Sequence, residues 1–441
     1  MMSNKYNLIL KEVSKSIIPS SNEHNKVIEA ANEVVQIVNE KAEKFKAELV
    51  IGGSVAKGTW LPGISDIDCF LRFNYIQYKD TDESKIRGSA KSKELVGKSD
   101  NLSDIAEKII KSCFKNYIKL HGSRDYFQTK YYGFDIEIIP VLNITKPDMM
   151  KNITDVSPLH FIWLRKRTRQ LNLGNEIRIG KKFFKANNLY GAESFIRGIS
   201  GHVIEVLTIN YGGFVNLLKA ISKWQDRAIV DPENRYVNEK QMMLLMNESK
   251  TMSPLIVVDP IQPERNASAA LSKEKFDELK KLAKKFLANP STAAFKEKTL
   301  TADKIKSRKT KNNLLLFSAA PDKTVTIDVA GCKILKQFEY ITDILEKFDF
   351  KIVKQDWYWD KKNAALLWFY VNPKKLSSDF RHWGPPTELI QHTTAFKKEW
   401  KKYKVKQSKG KLYVDFPRKV RTTNDFLAEL KKDKNLNIKI L

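Results

Sequence analysis

The sequence predicts a multidomain α+β chain, and three observations carry that prediction. Its 441 residues exceed what one hydrophobic core usually organises, while 42% apolar content is enough for several. Helical and alternating periodicities are mixed over residues 1–150, whereas helical signals run almost unbroken from Leu159 to Gln225. Beyond residue 300 a strand, helix, strand, strand order begins.

Taken in chain order, Ser20 and Glu23 stand at capping-box spacing. Val27, Ala31, Val34, Val38 and Phe45 then build one apolar face, predicting a long amphipathic helix. Leu49 to Ile51 reads as a short strand ending at Gly52-Gly53. Asp66 to Phe73 alternates, with Asp66 and Asp68 on one face and Ile67, Cys69, Leu71 and Phe73 on the other. A second helix is predicted over 102–119, carrying Ile105, Ile109 and Cys113. Tyr126 to Tyr132 and Phe134 to Ile139 read as paired strands turning near Gly133.

The helical middle is broken at Gly174, Gly191 and Gly212-Gly213. MSPLIVVDPIQPER, ending at Arg265, reads as a buried strand running into a proline-flanked loop. A helix over 272–287 and a linker at Asn289-Pro290 follow. LLLFSA, a helix over 334–348, FKIVKQDWYW and AALLWFYV then suit a ferredoxin-like layer, a common RNA-binding scaffold. The remainder, with RHWGPP and KGKLYVDFPRKV, is strongly basic.

Lys and Arg exceed Asp and Glu by 78 − 51 = 27, and the surplus is spread through the chain. A polyanionic partner is implied, with nucleic acid the first candidate. No apolar run reaches the roughly 18 residues of a membrane span, and no signal-peptide core is present, so a cytoplasmic protein is expected. Cys69, Cys113 and Cys332 are too few and too scattered for a disulfide framework or a zinc site, and are expected as reduced, mostly buried thiols.

The chemistry concentrates in GGSVAKGTWLPGISDIDCF, from Gly52 to Phe70. Aspartates at i and i+2 on a strand point to one face, where both reach a shared divalent ion. Phosphoryl transfer uses such clustered carboxylates to hold paired ions. A third acid is expected from FDIEIIP, which offers both Asp135 and Glu137; the pattern alone leaves that choice open. Gly52-Gly53 lets backbone approach phosphate oxygens, and Ser54 adds a hydroxyl and an amide. A P-loop is excluded, because Lys57 precedes Gly58 where that motif places its lysine after the second glycine.

These residues resemble the DNA polymerase β nucleotidyltransferase superfamily, with its GS turn, acidic pair and distant third acid. More narrowly, the chain is similar to the archaeal, class I CCA-adding enzymes. The similarity rests on GGSVAKGTWLPGISDIDCFLRF, SPLHFIW, KKFFKANNLYGAESFIRGISG, VVDPIQPERNASAALS and the later GPP near Gly384, in that order. The resemblance implies a polymerase β-like catalytic head at 1–150 and a helical central domain at 151–250 that completes the nucleotide pocket. It further implies a body at 251–300 plus 395–441 and a ferredoxin-like tail at 301–394.

On matching positions it implies Asp66, Asp68 and Glu137 as catalytic residues and ligands of two Mg²⁺ ions. Gly53, Ser54, Lys57, His160, Lys181 and Tyr190 would bind the nucleotide, with Arg265 reading the base edge of C or A. Asp259 and Asn266 are expected to shape their loop. The family's third acid is commonly aspartate, so Asp135 stands as the alternative to Glu137. After RKVRTTNDFLAELKKDKNLNIKIL the family's chains often continue, so a trimmed elbow-binding domain is expected. The implied function is addition of C, C and A to tRNA 3′ ends from CTP and ATP, by a homodimer gripping the acceptor stem and elbow. A poly(A) polymerase, an oligoadenylate synthetase-like enzyme and a catalytically dead RNA-binding protein are the alternatives.

Overall fold

The computed structural model describes residues 2–64, 66–81, 101–246, 248–297, 299–434 and 436–441. It comprises two compact units, residues 1–298 and 299–441.

In the first unit, helix α1 (Met2–Ile17) precedes α2 (Ser21–Ala42), whose Ser20 hydroxyl caps it by accepting the Glu23 amide. Glu23 turns outward instead: its carboxylate accepts the Gly63 amide at 2.6 Å, tying α2 to the loop before the acidic strand. Val27, Ala31, Val34 and Val38 are fully buried as the periodicity predicts, and Phe45 packs at the edge of that core.

This face of α2 covers a mixed five-stranded sheet of order β1-β2-β5-β4-β3. Its members are β1 (Ala47–Ile51), β2 (Asp66–Asn74), β3 (Ile118–Leu120), β4 (Tyr126–Tyr131) and β5 (Phe134–Asn143). Between β1 and β2 lies the one-turn helix α3 (Gly53–Lys57). Ile67, Cys69, Leu71 and Phe73 have no exposed surface, leaving Asp66 and Asp68 on the opposite face. Tyr132 and Gly133, at φ 46° and 83°, close the β4–β5 hairpin with the paired positive φ of a type I′ turn.

The helix predicted over 102–119 is shorter than expected. Helix α4 (Leu102–Cys113) stops where Phe114 turns extended and buries its ring, and residues 118–120 instead form β3, paired with β4. The Thr129 hydroxyl donates to the Asn116 carbonyl at 2.7 Å and pins this connection to the sheet.

Four helices follow: α5 (Ser157–Leu171), α6 (Gly174–Ala186), α7 (Gly201–Asn210) and α8 (Phe214–Ile221). A parallel pair, β6 (Ala228–Val230) and β7 (Leu255–Val257), leads to α9 (Lys273–Ala288), which Ser272 caps. Phe183, Phe214, Phe286 and Phe295 interlock with ring centroids 5.3 to 5.8 Å apart, joining α6, α8 and α9.

The second unit contains β8 (Asn313–Ala319), α10 (Ile327–Lys347), β9 (Ile352–Tyr358) and β10 (Ala365–Val371), the predicted order. An insertion then supplies β11 (Asp379–Pro386), α11 (Ile390–Glu399), β12 (Lys406–Ser408) and β13 (Lys411–Pro417), and α12 (Thr423–Leu430) and β14 (Ile438–Ile440) end the chain. The main sheet has order β14-β8-β10-β9, a complete βαββαβ ferredoxin-like layer. Residues 395–441 therefore lie in one unit with 301–394 rather than with 251–300. β14 pairs antiparallel with β8, and Phe426 and Leu430 of α12 enter the core beside Leu315 and Phe317.

Cys69 is buried, Cys113 and Cys332 are half-buried, and all three are free thiols. No helix among the described residues is long and apolar enough to cross a membrane.

Candidate active site

The acidic cluster is set by strand register. β2 and β5 run parallel with Asp68 opposite Glu137 and Asp66 opposite Asp135. Glu137 accepts from Gln128 Nε2 at 3.0 Å, in electrostatic reach of both Asp68 and Asp66. Asp135 is turned to Lys130, 2.6 Å away at the exposed hairpin end. Burial, reinforced by Asp66, pushes the Asp68 carboxyl above its ordinary value against the pull of Lys57 and Lys181. Burial likewise raises Glu137, reinforced by Asp68 and Asp66. Asp68 and Glu137 are partly withdrawn from water beside the exposed Asp66, and the oxygen-only donor set of the three carboxylates fits a hard divalent cation.

The glycine turn lies directly on this cluster. Gly53 sits at φ 55°, and a Cβ there would overlap the Asp68 carboxylate, so both conformation and space require glycine. The Gly52 amide donates to the Asp68 carbonyl at 2.8 Å, fixing the turn to β2. Ser54, half-buried in the first turn of α3, accepts the Thr59 amide on its carbonyl at 3.0 Å.

Beside the acids, Lys57 of α3 and Lys181 of α6 converge on Glu205 of α7, whose carboxylate is only 1% exposed. Lys181 Nζ lies 2.7 Å from Oε1 and Lys57 Nζ lies 2.9 Å from Oε2. The Thr59 hydroxyl donates to Oε1 at 2.9 Å and accepts from Lys181 at 3.0 Å. Burial opposes ionisation of Glu205, but the two ammonium groups outweigh it and hold the carboxyl well below the usual range. Burial lowers Lys181, with Glu205 acting against it. Tyr190 borders the same cluster: its hydroxyl oxygen lies against Gly201, and burial, then Glu205, Glu193 and Asp68, push its pKa up to about 12.

A second cluster forms on Asp259, in the loop after β7 and without exposed surface. His160 Nε2 of α5 lies 2.6 Å from Oδ1, which also accepts the Ile261 and Gln262 amides. Arg265 donates to Oδ2 at 2.9 Å, and His202 of α7 stands 3.7 Å from it, its ring edge-on to His160. Burial opposes the Asp259 charge, yet the hydrogen bond with His160 and the nearby His202 hold its carboxyl far below normal. His160, His202 and Asp259 offer metal-ligand atoms within 4.8 Å of one another. Arg265 and two backbone amides already engage both carboxylate oxygens, so the arrangement is a hydrogen-bonded clamp. Asn266 bonds the Val257 amide and the Lys250 and Leu255 carbonyls, so it and Asp259 shape this loop as the sequence suggests.

The structure thus gathers Asp66, Asp68, Glu137, Lys57, Lys181 and Tyr190 in one neighbourhood and sets His160 and Arg265 on Asp259. Helix α7 serves both clusters, because His202 and Glu205 are three residues apart and share a face. Sequence reasoning missed both. The available signal was a glutamate and a histidine inside the otherwise apolar GHVIEVLTIN, which a buried helix tolerates only where each has a partner.

Three family models match the chain: a nucleotidyltransferase domain over residues 31–130, the second domain of tRNA nucleotidyltransferases over 175–296, and the C-terminal domain of CCA-adding enzymes over 319–437. The chain is 32% identical to a CCA-adding enzyme of Nanoarchaeum equitans over 400 residues, covering 91% of each chain. It is 24% identical to the CCA-adding enzyme of Methanothermobacter thermautotrophicus, covering 95% of this chain and 87% of that one. Among solved structures, a cytoplasmic RNA terminal U-transferase is similar at 13% identity and a TM-score of 0.48, covering 67% of this chain and 100% of that one.

Proposed function

The chain belongs to the CCA-adding enzyme family, and from that premise we propose that it adds C, C and A to tRNA 3′ ends. CTP and ATP are the donors, no nucleic-acid template is used, and pyrophosphate leaves. The observation that carries this reading is the convergence of Asp66, Asp68 and Glu137 beside two lysines that share one buried carboxylate.

Asp66, Asp68 and Glu137 would hold Mg²⁺, which, when bound, neutralises triphosphate charge and eases ionisation of the tRNA 3′-hydroxyl. Lys57 and Lys181 hold the triphosphate by charge, with Ser54 and the Gly53 backbone at its oxygens. The Tyr190 hydroxyl, its pKa raised, stays protonated and donates to phosphate or sugar. Asp259 orients His160 and Arg265, leaving further guanidinium N–H groups free to read the edge of C or A. The 3′-oxygen then attacks the α-phosphorus, the bond to the bridging oxygen breaks, and pyrophosphate departs in line.

Residues 1–150 act as catalytic head and 151–250 as the domain completing the nucleotide pocket, while the basic second unit grips tRNA by shape and backbone. A cytoplasmic homodimer is the assembly we propose. The test is to incubate the protein with tRNA lacking its 3′ end, CTP, ATP and Mg²⁺, and to sequence the product ends. Ends reading CCA support the proposal; runs of A, or 2′-5′ linkages, replace it with another superfamily activity.

A further inference from the structure

The three-stranded sheet β11-β13-β12 of the second unit has two unlike faces. His382, Leu412, Val414 and Phe416 face α11, packing against Phe396 and Trp400. Strand alternation puts Arg381, Trp383, Tyr413, Asp415 and Lys406 on the other face. There Trp383 and Tyr413 are cross-strand partners with ring centroids 5.4 Å apart. The Arg381 guanidinium lies 4.0 Å from the Tyr413 ring centroid and 5.8 Å from that of Trp383. Asp415 sets this arrangement, accepting from Arg381 Nε at 2.8 Å and from Lys406 at 3.2 Å.

Stability alone does not account for the face. Trp383 is 46% exposed, so much of its apolar surface is left in water, and exposed cation–π contacts add little to a fold. An indole, a phenol and a guanidinium are, however, the flat groups on which unstacked bases settle. An open sheet bearing aromatics is how several RNA-binding modules present them. Lys406 at one edge and Lys411, at the exposed start of β13, supply the phosphate contacts such a base brings with it.

We propose that Arg381, Trp383 and Tyr413 form a base-stacking platform for an unpaired nucleotide of the tRNA. The platform rests on the reading of tRNA as substrate, and deepens it by naming where a base, rather than the backbone, is held.

The test compares wild type with Trp383→Ala, Trp383→Phe, Arg381→Lys and the Lys406→Ala/Lys411→Ala pair, in CTP incorporation into truncated tRNA at several salt concentrations. Trp383→Ala should raise the KM for tRNA roughly 5- to 150-fold, the loss expected for one stacked base. The KM for CTP should stay within about twofold and the salt dependence should keep its slope. Trp383→Phe should recover most of the loss, and Arg381→Lys, which keeps the charge but not the plane, should not match wild type. The lysine pair should flatten the slope by about 0.7 to 0.9 per lost phosphate contact.

An unchanged KM for tRNA in Trp383→Ala overturns the platform, as does a KM for CTP that rises in step with it. A shift from dimer to monomer with tRNA affinity intact would make this face a contact between copies, and also overturns it. If Trp383→Ala does not fold, Arg381→Lys decides alone. If wild type extends no tRNA, the reading of function fails, and filter binding of the same tRNA still tests the platform.

Discussion

Replacing Glu205 with alanine withdraws one buried carboxylate from three donors at once. Lys181 and Lys57 lose ion pairs of 2.7 and 2.9 Å, and the Thr59 hydroxyl loses its acceptor. Hydrogen bonds to a charged group contribute about 1.5–3 kcal/mol each, and removing one partner of a buried pair costs about 3–5 kcal/mol. Lys181 is 4% exposed, too buried for solvent to take the place of its partner, so the cost should sit in that range. At about 2–4 °C per kcal/mol, the first unit should melt roughly 6–20 °C lower. The nucleotide site should fail too, since two ammonium groups held together by a shared carboxylate then repel each other. Burial already lowers the Lys181 pKa, and Glu205 opposes that. Without Glu205 the lysine should lose its proton nearer neutrality, and the KM for CTP should begin to rise at a lower pH than in wild type. Glu205→Gln keeps the shape and should show the same pH shift with a smaller loss of stability. Melting curves followed by tryptophan fluorescence, with KM for CTP measured across pH, provide the assay. An alanine variant that melts within about 1 kcal/mol of wild type, with an unmoved pH profile, would refute the reasoning.

Asp68→Asn should raise the melting temperature of the metal-free protein, because a carboxyl whose folded pKa is raised destabilises the fold once pH rises through that pKa. The same variant should lose stabilisation by added Mg²⁺ and lose incorporation, as melting with and without the ion will show. Glu137→Gln should cut incorporation roughly a hundredfold or more, whereas Asp135→Asn, whose carboxylate is engaged by Lys130, should stay within a few-fold of wild type. Gly53→Ala should fold less stably and lose turnover, since its Cβ displaces Asp68; single-turnover rates would show whether the step itself slows. The Asp259 carboxyl is depressed, so its contribution is complete at neutral pH and is lost as pH falls through the ordinary carboxylate range toward the folded value. Asp259→Asn should therefore flatten the stability curve between about pH 5 and 2, as urea denaturation across that range will reveal.

Much of the first unit was legible because its signals are local. The Ser20-capped face of α2, the alternation of β2 and the turn at Gly133 each depend on residues a few positions apart; the last two formed as read, and α2 did so up to Ala42, with Glu23 bonding Gly63 rather than closing the capping box. The helix predicted through Lys119 failed where a local pattern met a distant claim: β4 offered residues 118–120 a pairing that the apolar spacing could not announce. The three residues of β14 are too short to signal a strand, and only their pairing with β8 puts the end of the chain into the ferredoxin-like sheet.

The sequence by itself determined the types of chemistry available: paired carboxylates on one strand face, a glycine turn ahead of them, a large surplus of cations, and the motif order that marks the family. It left Asp135 and Glu137 equivalent, because both alternate onto the same face. Register between strands some seventy residues apart set Glu137 opposite Asp68 and turned Asp135 to Lys130. Glu205 and His202 had no legible role at all, since a buried charge is defined by its partners. Lys57, Lys181 and Asp259 reach them only when three helices and a loop have packed. Residue types follow from the chain, but which charges neutralise one another depends on desolvation and distance, and those exist only in the folded protein.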